Sequence, residues 1–257
     1  MSMSGVRINR IEVESIEHIG RRPYMEDRTI LEANIFNGWS LFAVCDGHGG
    51  DYVCNFLKAN FKDLLVENMK LNENMAIAID QTFAKIAHQM DMENAKYQGS
   101  TICALLIKGN MIISINTGDS RAIMGFMDSS VDLTVDHKPN EPSEEKRILN
   151  EGGFVTHREQ DVPRVNGNLA LSRSVGDFYL FPYVISNPDI RQFDMSTYEE
   201  SYIVIATDGI LDVWTSGEII KALSIGLKCN DFINLSLQRG STDNMSMIVL
   251  HKTVETK

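Results

Sequence analysis

Residues Trp39 to Gly50, WSLFAVCDGHGG, commit the chain to sheet. The apolar run Leu41 to Cys45 ends abruptly at Asp46, and Gly47, His48, Gly49 and Gly50 follow. A short apolar run bounded by turn residues reads as a buried strand. Asn37-Gly38, just ahead of it, is a hairpin-closing pair, so a strand over Thr29 to Ile35 should lie antiparallel to Trp39 to Cys45. The turn beyond the strand allows two readings. Asp and Gly can stand there simply as turn formers. Alternatively, the acid, the histidine two residues on and the glycines around them form a site, because glycine accepts positive φ and lets a ligand approach closely.

The remaining chain mixes sheet and helix signals. Residues 7 to 17, RINRIEVESIE, alternate as a strand does. Asp51 to Asn68 places Val53, Phe56, Leu57, Phe61, Leu64 and Leu65 at helical spacing, and Met75 to Met92 repeats the period through Ile79, Phe83, Ile86 and Met90. Short strands follow over Ser100 to Ile107, Met111 to Asn116 and Arg121 to Phe126, with Gly109-Asn110 turning between the first two. Connections this short predict antiparallel neighbours, since a parallel pair needs a long crossover. Pro142 to Asn150 is a short helix stopped by Gly152-Gly153. Residues 154 to 188 lack a period; a segment of that length is expected either to be functional or to contain short helical pieces, and a hairpin within it is a candidate flap over the site. Tyr202 to Ala206 and Met245 to His251 read as strands. Ser216 to Ile225, capped by Ser216, and Asp231 to Arg239 read as helices. Residues 252–257 read as a free tail. No repeat or linker divides the chain, so a single domain over 1–257 is expected, and antiparallel hairpins interleaved with paired helices make it a layered α+β domain rather than a doubly wound parallel sheet.

Four apolar strands carry an aspartate at a tip: Asp46 after LFAVC, Asp119 after IISINT, Asp208 after IVIAT and Asp243 before MSMIVL. Any one of them is an ordinary loop residue. Four that converge would repel one another unless a cation neutralised them. His48 is the only histidine close to these acids in sequence, and there is no cysteine pair. Oxygen donors suit Mg²⁺ or Mn²⁺ rather than structural zinc, and the Asp-rich loop of an EF-hand calcium site is missing. Carboxylates shared by two metals suit attack of water on phosphorus. Arg21-Arg22-Pro23-Tyr24-Met25-Glu26-Asp27 places an arginine four residues before an acidic pair. That arginine either grips phosphate oxygens or belongs to a solvated basic turn.

Composition narrows the partners. Lys plus Arg is 24 against 35 for Asp plus Glu, a formal charge of −11, which argues against nucleic acid and anionic membrane surfaces. No apolar run is long enough to span a bilayer, so no membrane insertion is expected, and MSMSGVRINR lacks the apolar core of a secretory signal. Cys45, Cys54, Cys103 and Cys229 are irregularly spaced, which points to a reducing compartment: cytoplasmic, or else nuclear.

With these residues in view, the chain resembles the metal-dependent type 2C serine/threonine protein phosphatases, the PPM family. The likeness runs in order through RRPYMEDR (21–28), FAVCDGHGG (42–50), GSTICALL (99–106), NTGDSRA (116–122), LTVDHKP (133–139), EGGFV (151–155), RVNGNLALSRSVGD (164–177), ATDGILDVW (206–214) and STDNMSMIVL (241–250). The resemblance implies a four-layer α-β-β-α sandwich with two Mg²⁺ or Mn²⁺ ions between the sheet edges. It implies that Asp46 bridges both ions, that Asp208 and Asp243 complete one shell, and that the Gly47 carbonyl and Glu26 serve the other. Asp119 would hold a weaker third ion, and Asp27 would stand behind the ligands. Arg22 would bind the substrate phosphate and His48 would be the general acid, with water attacking phosphorus directly and no phosphoenzyme formed. The implied substrates are phosphoserine and phosphothreonine proteins, met by a monomer.

Departures from the family pattern are few. Leu211 stands before Asp212 where tryptophan is frequent, and Ile102 follows Gly99-Ser100-Thr101 where a small residue is usual. The loop His157 to Val165 lacks the tryptophan of hormone-regulated plant relatives, and nothing after the last strand matches the helical module of some animal relatives, so a bare catalytic domain is expected. Two other functions compete: a catalytically inactive relative serving as a binding or scaffold domain, and a two-metal phosphodiesterase or nuclease. Retention of Asp46, Asp208 and Asp243 argues against the first, and the acidic balance argues against the second.

Overall fold

The computed structural model describes residues 3–8, 11–157, 161–198 and 200–253, with side chains from residue 11 onward. Strands β1 (Met3–Ile8) and β2 (Ile11–His18) pair first, so the expected single strand over 7–17 is two. β3 (Arg28–Phe36) and β4 (Trp39–Cys45) form the expected hairpin. Asn37 and Gly38 both take positive φ, 47° and 84°, as a turn whose twist matches its strands requires. There follow β5 (Gly47–His48), α1 (Tyr52–Leu71), α2 (Met75–Gln89), β6 (Gly99–Ser100), β7 (Ile102–Lys108), β8 (Met111–Thr117), β9 (Arg121–Phe126) and β10 (Ser129–Asp132). Helix α3 (Pro142–Asn150) leads into β11 (Val155–Thr156), β12 (Arg164–Val165), β13 (Val175–Gly176) and a 3₁₀ turn at Phe178–Leu180. The chain closes with β14 (Asp189–Asp194), β15 (Ser201–Ala206), α4 (Asp208–Leu211), α5 (Ser216–Ser224), α6 (Cys229–Gln238) and β16 (Met245–Lys252).

Two antiparallel sheets dominate. One has the order β1-β2-β16-β15-β9-β10, the other β14-β8-β7-β4-β3. Both faces of each sheet are covered, which is why the central strands are apolar throughout instead of alternating with polar residues. In β4, Leu41, Ala43 and Cys45 pack against α1 and α2, while Phe42 and Val44 face the other sheet. In β15, Ile203 and Ile205 face between the sheets, and Val204 and Ala206 pack with Ile219, Ile220, Phe232 and Ile233 of α5 and α6. Three stacked apolar layers between four layers of structure make the α-β-β-α sandwich of the expected α+β class. Among the described residues no helix is long and apolar enough to cross a membrane.

Several local expectations are corrected. β8 and β9 are not antiparallel neighbours: β8 pairs with β7 and β14, and β9 pairs with β15 and β10 in the opposite sheet. Gly118, at φ 111°, turns this corner, and a Cβ there would lie 2.5 Å from Thr101 Cγ2. Helix α5 is capped by Thr215, not Ser216, in a reciprocal box with Glu218. In the segment read as irregular, β11 and β12 do form a short hairpin, and β13 adds to β6 and β5 as a small third sheet. Lys252 belongs to β16 rather than to a tail; residues 254–257 of that tail, and 158–160 of the loop His157 to Val165, lie outside the described residues.

Candidate active site

Strand parity carries Asp46 to the space between the sheets. Phe42 and Val44 point there, and Asp46 continues the alternation one step beyond β4, whereas Cys45 faces the helices. Its backbone is held from both sides: Asp46 N–H donates to Thr101 Oγ1 at 3.1 Å, and Thr101 N–H donates to the Asp46 carbonyl at 2.9 Å. Thr101 Oγ1 in turn lies 2.7 Å from Ser120 Oγ, which ties Asp46 to the Gly118 corner that bears Asp119. Asp208 opens α4 directly after β15. Gly209 behind it touches β16's approach so closely that a Cβ would sit 1.9 Å from the Asn244 carbonyl.

The expected acids do converge. Burial first, then the charges of Asp208, Asp27 and Asp119, push the Asp46 carboxyl well above the usual range, and its side chain is hydrogen-bonded to Asp208. Asp208 is pushed up to about 7 by burial and by Asp119, Asp212 and Asp243. Asp27, 1% exposed, is raised to about 7, mainly by burial, although Thr207 Oγ1 donates to its Oδ2 at 2.9 Å. Asp212, assigned no ligand role from the sequence, joins the cluster and is raised as well, by burial and despite Lys138.

The outer acids are paired with cations of the chain itself. Arg22 Nη2 donates to Asp243 Oδ2 at 2.6 Å, so the arginine expected on phosphate or in a solvated turn is here on a carboxylate, still half exposed. Lys138 Nζ donates to Asp119 Oδ2. Among the described residues no three His, Cys, Asp or Glu side chains form a ready metal cage. The donor set nevertheless fits a hard divalent cation: all oxygen, with two half-buried carboxyls in contact whose mutual repulsion a cation would relieve. For Asp243 and Asp119 to join in ligation, each would exchange its Arg22 or Lys138 partner for the ion.

Glu26 and Gly47 lie side by side: a Cβ on Gly47 would stand 2.6 Å from the Glu26 carbonyl. The Arg22–Glu26 stretch is held by a residue to which sequence reasoning gave no role. Asn244 Nδ2 donates to the carbonyls of Ile19 at 2.8 Å and Tyr24 at 3.0 Å, and its Oδ1 accepts from Glu26 N–H at 2.7 Å. Asn244→Ala removes all three bonds from a buried side chain, and a loss of about 2–3 kcal/mol of unfolding free energy is expected, read by urea denaturation. His48 Nε2 lies 2.7 Å from Asp177 Oδ2. Burial pulls the imidazole pKa down, but the hydrogen bond and charge of Asp177 outweigh burial and hold it above its ordinary value. Asp177, Thr101, Lys138, Asn244 and Asp212 are thus the residues missed; all five lie inside the recognised motifs, which was the only signal the sequence offered for them.

The family described as Protein phosphatase 2C matches residues 11–245. The chain is 36% identical over 241 residues to "Probable protein phosphatase 2C 55" of Oryza sativa subsp. japonica, a match covering 90% of this chain and 63% of that protein. It is also 36% identical over 242 residues to "Probable protein phosphatase 2C 17" of Arabidopsis thaliana, covering 88% of this chain and 83% of that one. The chain therefore spans less than two thirds of the rice relative's length. Among solved structures, the serine-threonine phosphatase 2C from Toxoplasma gondii superposes with a TM-score of 0.82 at 23% identity, covering 98% of each chain, a likeness of fold.

Proposed function

The chain belongs to the protein phosphatase 2C family, and from that premise we propose that it hydrolyses phosphoserine and phosphothreonine in proteins with Mg²⁺ or Mn²⁺ as cofactor. The observation that carries this reading is the convergence of Asp46, Asp119, Asp208 and Asp243 from four separate strand tips. In it, Asp46, Asp208, Asp243, Glu26 and the Gly47 carbonyl would hold two ions, and Asp119 a weaker third. When bound, these ions supply positive charge to the phosphoryl oxygens and make water nucleophilic near neutral pH.

The chain's own groups do the rest. Arg22, half exposed and on a short reach from the acids, would turn from Asp243 to two phosphate oxygens and fix the ester's orientation. His48 would give its proton to the departing seryl or threonyl oxygen. An alkoxide is a poor leaving group, so a donor whose pKa Asp177 holds above its ordinary value acts where the barrier is highest. No thiol is suited to a covalent route: Cys45, Cys54, Cys103 and Cys229 are all buried, and burial raises each of their pKa values. An inactive scaffold is the weaker reading, because none of the expected carboxylates is replaced.

The decisive assay follows phosphate release from phosphoserine and phosphothreonine peptides with Mn²⁺ or Mg²⁺, and again with EDTA. Release with metal and its loss on chelation are expected. Undiminished release in EDTA would refute the metal route, and no release under any of these conditions would refute the phosphatase reading.

A further inference from the structure

We propose that Asp177 is the positioning residue of the proton donor: it holds His48 through Nε2, so that delivery to the leaving oxygen falls to Nδ1. The proposal rests on the phosphatase reading above. Asp177 ends the stretch RVNGNLALSRSVGD, which none of the roles assigned so far has used.

Several independent constraints meet at this one contact. The Asp177 side chain is 2% exposed, so its 2.7 Å contact with His48 Nε2 is shielded from the solvent that weakens surface pairs. Ser174 Oγ donates to the same Oδ2 at 2.6 Å and fixes the carboxylate's rotation. The Asp177 N–H donates to the Gln98 carbonyl at 2.9 Å, locking the turn to the strand that pairs with His48. Its backbone sits at φ 49°, ψ 37°, a left-handed conformation that Asp and Asn accept more readily than other side-chain-bearing residues. Gly99 opposite leaves the space in which the pair meets: a Cβ there would be 2.0 Å from Asp177 Oδ2 and 2.5 Å from His48 Nε2.

A carboxylate so placed accepts the Nε2–H and selects the ring orientation and tautomer, as the acid does in a catalytic triad. A merely structural acid would close the 174–177 turn without regard to the imidazole. The two roles differ in leaving-group dependence, because an activated aryl phosphate departs without a proton and a serine ester does not.

The test is Asp177→Asn, which suits the left-handed backbone and keeps the shape. On a phosphoserine peptide kcat should fall about 10- to 100-fold, and on 4-nitrophenyl phosphate by no more than about threefold. His48→Ala with Asp177→Asn should be no slower than His48→Ala alone, since both remove one function. Ser174→Ala, which keeps the carboxylate and frees its rotation, should show a smaller loss with the same substrate dependence. ¹⁵N NMR of His48 in the isolated protein should show a hydrogen-bonded Nε2–H that Asp177→Asn abolishes. Equal losses on both esters, additive losses in the double variant, or an unchanged His48 spectrum would overturn the proposal. If the unaltered protein turns over neither ester, the phosphatase reading falls and the catalytic claim with it, while the NMR arm still decides whether Asp177 sets the tautomer.

Discussion

Asp208→Asn is expected to lower phosphopeptide turnover by about 100- to 1,000-fold while making the protein more resistant to heat. The two effects have opposite signs because they arise from one property. Burial and the nearby Asp119, Asp212 and Asp243 raise the Asp208 pKa from 3.8 to about 7. A group whose folded pKa lies above its unfolded value binds more protons when folded. Its contribution to stability therefore declines as pH rises from about 4 to 7, and above 7 the ionised carboxylate carries the full penalty. Asparagine cannot ionise and keeps an oxygen for the hydrogen bond with Asp46. Discounted for the solvent that reaches this half-buried site, the relief is about 1 kcal/mol, or roughly 2–4 °C in Tm for a chain of this size. The gain should be present at pH 8 in chelator and absent at pH 5, by calorimetry. Mg²⁺ should stabilise the unaltered protein more than the variant. A variant that loses stability at pH 8 would place Asp208 among the structural residues, and one with full turnover would remove it from the ligands.

The same opposition explains which parts of the molecule were legible from the chain alone. β4, its Asn37-Gly38 turn, α3 and β16 follow from residues within a few positions of one another, because a turn pair or a period acts locally. The sheet to which β9 belongs does not. The choice between β8 and β15 as neighbour is made by β15, some eighty residues on, and by a corner at Gly118 that is spelled with the same residues as a hairpin. β14, DIRQFD, escaped because it is an edge strand, partly exposed on both faces and without an apolar period. Ser216 and Thr215 are equally good caps by type; only Glu218, at the third helical position after Thr215, decides between them. In the site, recurrence made the four strand-tip acids visible, since each could be read from its own strand. Asp177 with His48, Lys138 with Asp119 and Asn244 with Glu26 are pairings made by the fold, and no local pattern announces them.

Glu144→Gln should destabilise the fold by about 3–5 kcal/mol. This carboxylate on α3 is 2% exposed and accepts from Arg173 Nη2 at 2.6 Å and Nε at 3.1 Å, and from Arg147 Nη2 at 2.9 Å. Arg147 also donates to the carbonyls of Ser172 and Tyr183, and Arg173 to Asp189 and the Asn187 carbonyl. One acid thus binds α3 to the start of β14 and to the arm that carries Ser174 and Asp177. Burial alone would raise its pKa, but the two guanidinium groups overcome burial and lower it from 4.5 to about 2. The stability that this pairing contributes is fully present above pH 4.5 and is lost as pH falls toward 2. Glutamine leaves two partly buried guanidinium groups short of their shared counter-charge, and Tm should fall by roughly 6–20 °C at pH 7. The gap between variant and unaltered protein should then narrow as pH drops below 4.5, because the unaltered protein loses what the variant never had. Glu145→Gln, one residue along the same helix and bonded to exposed His157, should change stability by less than about 0.5 kcal/mol. If Glu144→Gln melts within a degree or two of the unaltered protein, the arm bearing Asp177 is held by its apolar contacts with Ile148, Leu180 and Val184 instead of by this carboxylate.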